Sequence, residues 1–226
     1  VRLGPVPPPP PGVLGRVLGP GGPLHGYRAP PEKLAALASA LAGYRGTHNF
    51  HNFTSRRAAT DKSCHRYIMS FDTGEPWVDD HGTEWVCLTV LGQSFLLNQI
   101  RKLVALAVQV ARGAQTRGAV RTALSKKKHC LPMAPGDGLY LDSLFFDAYN
   151  KNLAKDKNTN KSEGSRVLLL WDQGALLEEI KDFKEKQIAN HIIAKEKESR
   201  PFLKWLNYLR VYPTKIKEEE EKKCPG

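Results

Sequence analysis

The sequence GQSFLLNQIRKLVALAVQVARG occupies residues 92–113 and carries the clearest helical pattern in the chain. Its apolar side chains recur at the three- and four-residue spacing that places them on one face of a helix. Gly113 is typical of the residue at which a helix ends. We therefore predict a helix over residues 95–112 whose apolar face lies in the core of a domain.

Arg101 stands inside this apolar pattern, next to Lys102. A charged side chain that is buried without a partner costs several kcal/mol. Arg101 therefore either lies on a polar stripe of the helix beside Lys102 or faces an anionic partner.

The segments on either side of this helix predict the rest of the domain. Upstream, a helix should begin at Pro31 and end near Gly43, and residues 66–71 and 84–91 have the composition of two strands of a hairpin. Downstream, a helix over 116–127 and a buried strand over 138–146 should follow. This order of elements predicts an α+β fold in which helices back an antiparallel sheet.

A polar and aromatic segment, THNFHNFTS, occupies residues 47–55 and suits a loop or a short helical turn. Two interpretations are open for its two phenylalanines, Phe50 and Phe53. They could fill the core while Asn side chains cap the loop, or they could contact RNA bases together with the flanking polar groups.

The two ends of the chain differ from this middle part. Residues 1–31 hold 10 of the 16 prolines and no acidic residue, which predicts an extended arm that cannot form a packed core. The C-terminal part is charged, with an amphipathic helix or two expected over 173–198 and a short apolar face after them. The predicted domains are therefore an arm over 1–30, an α+β domain over 31–150 and a helical extension over 151–226.

Charge and cysteine content limit the classes of function. The 226 residues include 34 Lys and Arg against 23 Asp and Glu, a net charge of +11, which favours a polyanionic partner such as nucleic acid, although solubility alone could explain it. No apolar run is long enough to cross a bilayer. The four cysteines form no C-x-x-C pair, so we expect no disulfide framework or zinc ribbon and a reducing compartment. A group of His and Cys residues also fits no standard metal-ligand spacing: His48, His51, Cys64 and His65.

Four motifs occur in an order that resembles the C-terminal half of the tRNA pseudouridine synthase A family, in its eukaryotic branch. They are GTHNFHNFTS at 46–55, CHRYI at 64–68, GQSFLLNQIRKLV at 92–104 and APGDGLYL at 134–141. The resemblance covers about residues 31–210. It implies an α+β fold whose antiparallel sheet spans two halves, with RNA bound in a basic cleft between them.

The resemblance also implies a reaction and two site residues. Enzymes of this family isomerise uridine to pseudouridine in RNA, without a metal or an organic cofactor, and an aspartate starts the reaction. By its position in the motif, Arg101 is similar to the arginine that pairs with this aspartate, and Leu139 is similar to part of the apolar wall near the base.

The aspartate itself is missing from the expected place. The family carries it in an Arg-Thr-Asp-x-Gly context well before the His-Asn-Phe motif, whereas the first aspartate of this chain is Asp61, in ATDKS. Because Asp61 lacks the preceding arginine and the following glycine, we interpret it as a loop residue. Arg101 would then pair with another acid, with solvent or with an RNA phosphate.

Two classes of function therefore stay open. The chain is either a segment of a working synthase or an inactive remnant that binds RNA in a large ribonucleoprotein such as a mitochondrial ribosome. The expected partner is RNA (tRNA or ribosomal RNA), together with other proteins in the second case, and no membrane. A mitochondrial location is favoured by the arm, with the nucleus as the alternative. The side chains expected to bind RNA, for which a solvated basic face is the competing interpretation, are His48, Asn49, Phe50, Phe53, Arg56, Arg57, Lys62, Arg66, Lys102, Lys126, Lys127 and Lys128.

Overall fold

The computed structural model describes residues 26–146, 149–152, 176–211 and 216. The predicted arm over 1–30 therefore lies almost wholly outside the described residues. Contacts divide the chain into two compact units, of which the second is Pro135–Pro201 and the first comprises the residues before and after it. Each unit is described by itself.

The described residues form one helix, then five strands and then five further helices. The strands are β1 (Gly46–Asn49), β2 (His65–Thr73), β3 (Trp77–Val78), β4 (Glu84–Trp85) and β5 (Leu88–Gly92). The α-helices are α1 (Pro31–Ala42), α2 (Gln99–Ala111), α3 (Ala119–Leu124), α4 (Leu176–Phe183), α5 (Asn190–Ser199) and α6 (Pro201–Val211). Two 3-10 turns lie at His51–Phe53 and Lys62–Cys64, and a π-helical stretch occupies Lys184–Ala189.

The first unit contains a three-stranded antiparallel sheet in the order β1-β2-β5. The long hairpin predicted from the alternating residues is present, because β2 pairs with β5 with Phe71 opposite Val90. A register shift between Ile68 and Ser70 interrupts the ladder. Between these strands, β3 and β4 form a separate small hairpin with Trp77 opposite Trp85. The mixture of helices and antiparallel sheet agrees with the predicted α+β class.

The core of the first unit lies between α1, α2 and the sheet. Leu41, Ile68 and Leu103 are fully buried there. Tyr44, just after α1, donates a hydrogen bond from its hydroxyl to Leu103 O at 3.1 Å, and burial raises the pKa of this tyrosine. Its ring meets the edge of Phe53 at 5.5 Å. Helix α1, helix α2 and the loop at 51–53 are thus joined at Tyr44.

Two predicted helices are shorter in the structure. Helix α2 begins at Gln99 and not at residue 95, because Asn98 adopts a left-handed conformation (φ 63°) that cannot continue a helix. The second helix, expected over 116–127, is limited to Ala119–Leu124. Leu96 and Phe95 still pack against the core from the turn before α2, so their apolar character is explained without a helix.

The strand predicted over residues 138–146, in the second unit, is wrong. No strand is assigned there, and Leu141 and Phe145 are 73% and 53% exposed. A strand needs a neighbour to pair its backbone groups, and the described residues provide none for this segment. The amphipathic helix predicted over 173–198 is confirmed as α4, the π-helical stretch and α5, which continue from Leu176 to Ser199. Five apolar side chains and two charged ones line a groove of about 400 Å³ in this unit: Leu141, Leu176, Glu179, Ile180, Phe183, Lys184 and Ile188.

The described residues contain no helix that is long and apolar enough to cross a membrane. They also contain no group of three or more His, Cys, Asp or Glu side chains placed to hold a metal ion.

Candidate functional site

Arg101, in the first turn of α2, is held in place by its surroundings. Its Nε donates a hydrogen bond to Ala134 O at 2.7 Å, and its Nη1 lies 3.4 Å from Asn98 Oδ1. A backbone hydrogen bond joins the same two residues, because Ala134 N donates to Arg101 O at 3.1 Å. A guanidinium has five N–H donors, so several remain available. No carboxylate among the described residues forms an ion pair with Arg101, and the site therefore offers an oriented cation to an anion.

The turn before α2 fixes where this arginine lies. Gln99 is fully buried and accepts a hydrogen bond from Leu96 N on its Oε1 at 2.7 Å. Asn98 tolerates the left-handed backbone better than most residues and points its amide oxygen toward Arg101. The helix start and the orientation of the arginine are thus set by the same few side chains.

The loop at residues 51–54 lies beside α2 and is fully buried. Asn52 anchors it with three hydrogen bonds: its Nδ2 donates to Ala123 O at 3.0 Å and to Lys127 O at 2.8 Å, and its Oδ1 accepts from His129 N at 3.0 Å. Thr54 Oγ1 donates to Leu97 O at 3.0 Å. Asn52 was not among the candidate site residues, but the core-filling interpretation of the motif expected Asn side chains to cap the loop, as Asn52 does.

Phe50 and Phe53 have no exposed surface. They contact each other edge to face at 5.7 Å. A ring without an exposed face cannot stack on a base, so the first interpretation of the motif, in which both rings fill the core, describes their position. The two rings therefore shape the loop from inside the core.

His48 and Asn49 lie in β1 and are half-buried. The Nε2 atom of His48 lies 2.8 Å from Arg45 O, and its ring meets the edge of Phe50 at 5.9 Å. Asn49 donates from Nδ2 to Ala59 O at 2.7 Å and accepts from His51 N on Oδ1 at 3.1 Å. Both side chains therefore stabilise the motif locally and keep only part of their surface for a ligand.

Lys102 is directed into the protein and not along a polar stripe. Its Nζ donates to Thr54 O at 2.9 Å and lies 3.5 Å from Asn52 O. Burial lowers the pKa of Lys102, and the Lys128 charge lowers it further, while Cys130 raises it. These contacts tie α2 to the loop at 51–54, which corrects the expectation that Lys102 is a surface cation for RNA.

The remaining basic candidates form an exposed surface around the segments 56–66 and 126–128. Lys128 Nζ donates to Arg57 O at 3.0 Å, which brings these two segments together. Arg66 differs from the rest, because it is half-buried and its Nη1 donates to Ser63 O and His65 O. The exposed cations, here called the basic surface, are Arg56, Arg57, Lys62, Lys126, Lys127 and Lys128.

Asp61 begins the 3-10 turn at Lys62–Cys64. Its Oδ1 accepts from Ser63 N at 2.9 Å and its Oδ2 pairs with Arg57 Nη1 at 2.8 Å. The hydrogen bonds from Ser63, and then Arg57, lower the pKa of this carboxyl. Asp61 is thus engaged as a turn cap, as its sequence context suggested.

Leu139 lies in the second unit and is 47% exposed. Its backbone N–H donates to Gly136 O at 3.0 Å, which closes a turn. Its predicted place in a pocket wall stays a prediction.

Known proteins similar to this chain point to one family. A family profile described as "tRNA pseudouridine synthase" matches residues 40–147. The mouse protein "Pseudouridylate synthase 1 homolog" is 36% identical over 186 residues, which are 82% of this chain and 42% of the mouse protein. "tRNA pseudouridine synthase 1" of Schizosaccharomyces pombe is 34% identical over 84% of this chain, and "tRNA pseudouridine(27/28) synthase" of Saccharomyces cerevisiae is 34% identical over 86%. The chain spans less than half the length of these curated relatives.

Proposed function

Because residues 40–147 belong to the tRNA pseudouridine synthase family, we propose that this chain is the RNA-binding portion of a uridine-isomerising enzyme. In this proposal the carboxylate that starts the reaction comes from polypeptide beyond the described residues. RNA, and tRNA in the first place, is the substrate class, as the names of the relatives suggest for those proteins.

The position of Arg101 carries this proposal. Its side chain is held by Ala134 O and Asn98 Oδ1, both uncharged, while several donors are unused by described residues. An arginine that is fixed in this way can keep a facing carboxylate ionised and hold it in one orientation. The relatives are more than twice as long as the matched region, so they have room for such a carboxylate.

The reaction itself is an isomerisation in which atoms balance within the nucleotide. The bond between N1 and C1′ breaks, the uracil turns, C5 becomes bonded to C1′, and the proton lost from C5 is balanced by one gained at N1. The target base must leave the stack before a carboxylate can reach it. The protein's part in this step is to bind the RNA backbone and to hold the reacting groups still.

Activity of a completed enzyme tests the role of Arg101. Residues 31–226 would be fused to the N-terminal portion of the mouse relative, and pseudouridine formation in a tRNA transcript would be measured. We expect product, and we expect Arg101→Lys to reduce the rate at least 100-fold, because lysine cannot reproduce the fork of guanidinium donors. Arg112→Lys is the matched control, since Arg112 also donates to a carbonyl, Leu206 O, at 3.2 Å. Equal rates for both variants would refute the assignment of Arg101.

Salt-dependent binding tests the basic surface. Each phosphate contact that is lost should reduce the slope of log affinity against log salt by about one. We expect Lys126→Ala with Lys127→Ala to reduce the slope by about two. As a control, Lys181→Ala with Lys186→Ala removes the same charge from α4 and the π-helical stretch, where both lysines are paired with acids, and should leave the slope nearly unchanged. Equal slopes in the two double variants would show that binding follows net charge alone.

A second candidate function is an RNA-binding component of a ribonucleoprotein, without chemistry. It is favoured by the described residues around Arg101, which contain no carboxylate partner. If the fused enzyme forms no pseudouridine although the chain binds structured RNA, this second function is the better one. The mitochondrial location, with the nucleus as alternative, stays a prediction that imaging of the tagged full-length gene product would test.

A further inference from the structure

A small groove separates helix α1 from the turn after β2. It has a volume of about 230 Å³ and is lined by Leu34, Ala35 and Ala38 of α1 and by residues 73–76. Pockets for small organic molecules are larger, roughly 300–1,000 Å³. The groove is therefore suited to a few rings or methyl groups of a peptide and not to a whole small molecule.

The segment that leads from this groove into the hairpin of β3 and β4 is acidic, although the protein as a whole is strongly basic. Residues 74–85 contain four acidic side chains and neither lysine nor arginine. Asp79 is used internally, because it accepts hydrogen bonds from His81 N, Thr83 N and Trp85 Nε1. Glu75 and Asp80 are exposed and form no ion pair with another described residue. Their carboxylates are available for a cationic ligand.

An exposed aromatic ring lies next to the groove in sequence. Trp77 is 43% exposed and stacks on Trp85 with ring centres 6.4 Å apart. Trp85 is held from behind, since it meets Phe202 edge to face at 6.0 Å and donates from Nε1 to Asp79 Oδ2 at 3.0 Å. Trp77 is thus supported in one orientation with a face toward solvent. A groove with leucine, alanine and proline side chains in its wall, a tryptophan that follows it in sequence and exposed carboxylates form the kind of surface that binds proline-rich segments carrying basic residues.

The described chain also reaches this surface from its N-terminal side. Arg28 Nη1 donates to Gly82 O at 3.0 Å, and Ala29 N donates to Glu84 Oε2 at 2.6 Å. Residues 1–25 therefore precede a segment that contacts the turn and the second strand of the acidic hairpin. They contain five consecutive prolines, Pro7–Pro11, between Arg2 and Arg16, and no acidic residue.

We propose that the groove and the exposed face of Trp77 bind the segment Pro7–Pro11 of the same chain, with its flanking arginines near Glu75 and Asp80. Charge and composition are complementary on the two sides. Proline-rich chain is already close to its bound conformation, so little entropy is lost when it docks. A short tether gives an effective concentration in the millimolar range, so even a weak site is mostly filled.

Fluorine NMR of the intact chain, labelled with 5-fluorotryptophan, tests this interaction. The signal of Trp77 is assigned with Trp77→Phe, and Trp205 serves as an internal reference in the same spectrum. We expect that replacing all five prolines, Pro7→Ser through Pro11→Ser, shifts the Trp77 signal and leaves the Trp205 signal in place. A synthetic peptide of residues 1–16, added to the five-serine chain, should restore the wild-type position, and Glu75→Gln should raise the peptide concentration needed severalfold.

Two results would overturn the proposal. An identical Trp77 signal in the wild-type and five-serine chains would show that the prolines do not reach the groove. A wild-type signal that moves to the five-serine position on 100-fold dilution would show that the arm of a second copy is the occupant. Tryptic cleavage after Arg16 provides an independent measurement, because docking should slow it at least tenfold relative to the five-serine chain.

Discussion

In two segments of this protein, the burial of the side chains is the opposite of what their polarity predicts. The segment at 50–54, FHNFT, is half polar and yet fully buried. The segment at 138–146, GLYLDSLFF, is mostly apolar, and five of its large side chains are 41% to 73% exposed. The first has partners for both its rings and its amide, whereas the second has no strand beside it among the described residues.

The difference shows that burial depends on partners more than on polarity. Asn52 can be buried because three backbone groups meet its amide at hydrogen-bond distance. Leu141 and Phe145 are apolar, but they are 73% and 53% exposed. A polar side chain that satisfies its neighbours is a stable core residue, and an apolar one without neighbours is not.

The largest expected effect is a contrast between two phenylalanines. Phe53→Ala removes a fully buried ring that contacts Tyr44 and Phe50, and such truncations cost about 3–5 kcal/mol. Phe145→Ala removes a ring that is 53% exposed and should change the free energy of unfolding by about 0.5 kcal/mol or less. Urea unfolding of the intact chain, followed by circular dichroism, measures both.

Similar losses in these two variants would break the comparison. If Phe53→Ala prevents folding altogether, Phe53→Leu replaces it, because leucine keeps much of the volume and should still cost more than Phe145→Ala.

The second contrast separates two asparagines of the same motif. Asn52→Ala leaves Ala123 O, Lys127 O and His129 N without their buried partner, and each loss of this kind costs about 1–3 kcal/mol. Asn49→Ala removes two bonds at a half-buried position, where water can replace the amide. We expect Asn52→Ala to lower the free energy of unfolding at least twice as much as Asn49→Ala. Equal losses would show that Asn52 is not the anchor of the loop.

Local pattern was enough to predict much of the fold. The alternation in residues 66–71 and the start signal at Pro31 depend only on neighbouring residues, and the structure contains the corresponding hairpin and helix. The order of motifs was enough to name the family, which the comparisons support.

The absence of a strand over 138–146, the start of α2 and the contacts of Lys102 could not be predicted. The first and the last depend on residues distant in sequence: a strand needs a pairing neighbour, and Lys102 donates to carbonyls at positions 52 and 54. The start of α2 depends on the left-handed backbone of Asn98, which the apolar pattern does not reveal. The candidate site shows the same limit. Its motif singles out Arg101, but the hydrogen bond from Arg101 to Ala134 O could not be predicted from the motif. The motif thus predicts Arg101 as the candidate residue, and tertiary contacts decide how its side chain is held.

A smaller effect is expected at the turn that precedes Arg101. Asn98 has a left-handed backbone (φ 63°), which alanine adopts poorly, so Asn98→Ala should lower the free energy of unfolding by about 1 kcal/mol. Asn98→Gly removes the same side chain but accepts the conformation, and should cost less. If the two variants are equally unstable in urea unfolding, the amide contact with Arg101 and not the backbone accounts for the choice of asparagine.

The subtlest expected effect concerns His51, which is 1% exposed and whose ring nitrogens have no well-formed hydrogen bond within the described residues. Burial lowers its pKa, and the neighbouring charges of Lys128 and His129 lower it further, while the Lys127 carbonyl acts in the opposite direction. Above pH 6.5, its ordinary pKa, the neutral ring contributes fully to stability. As the pH falls below 6.5 the unfolded chain binds this proton more readily, so stability is lost until the folded-state pKa is passed.

Urea unfolding at pH 7.5 and pH 5.5 should therefore show a larger loss of unfolding free energy for the wild-type chain than for His51→Gln. The control variant His81→Gln, at an exposed position, should behave like the wild type. The same loss in all three chains would mean that the buried motif does not take part in the acid sensitivity of the fold.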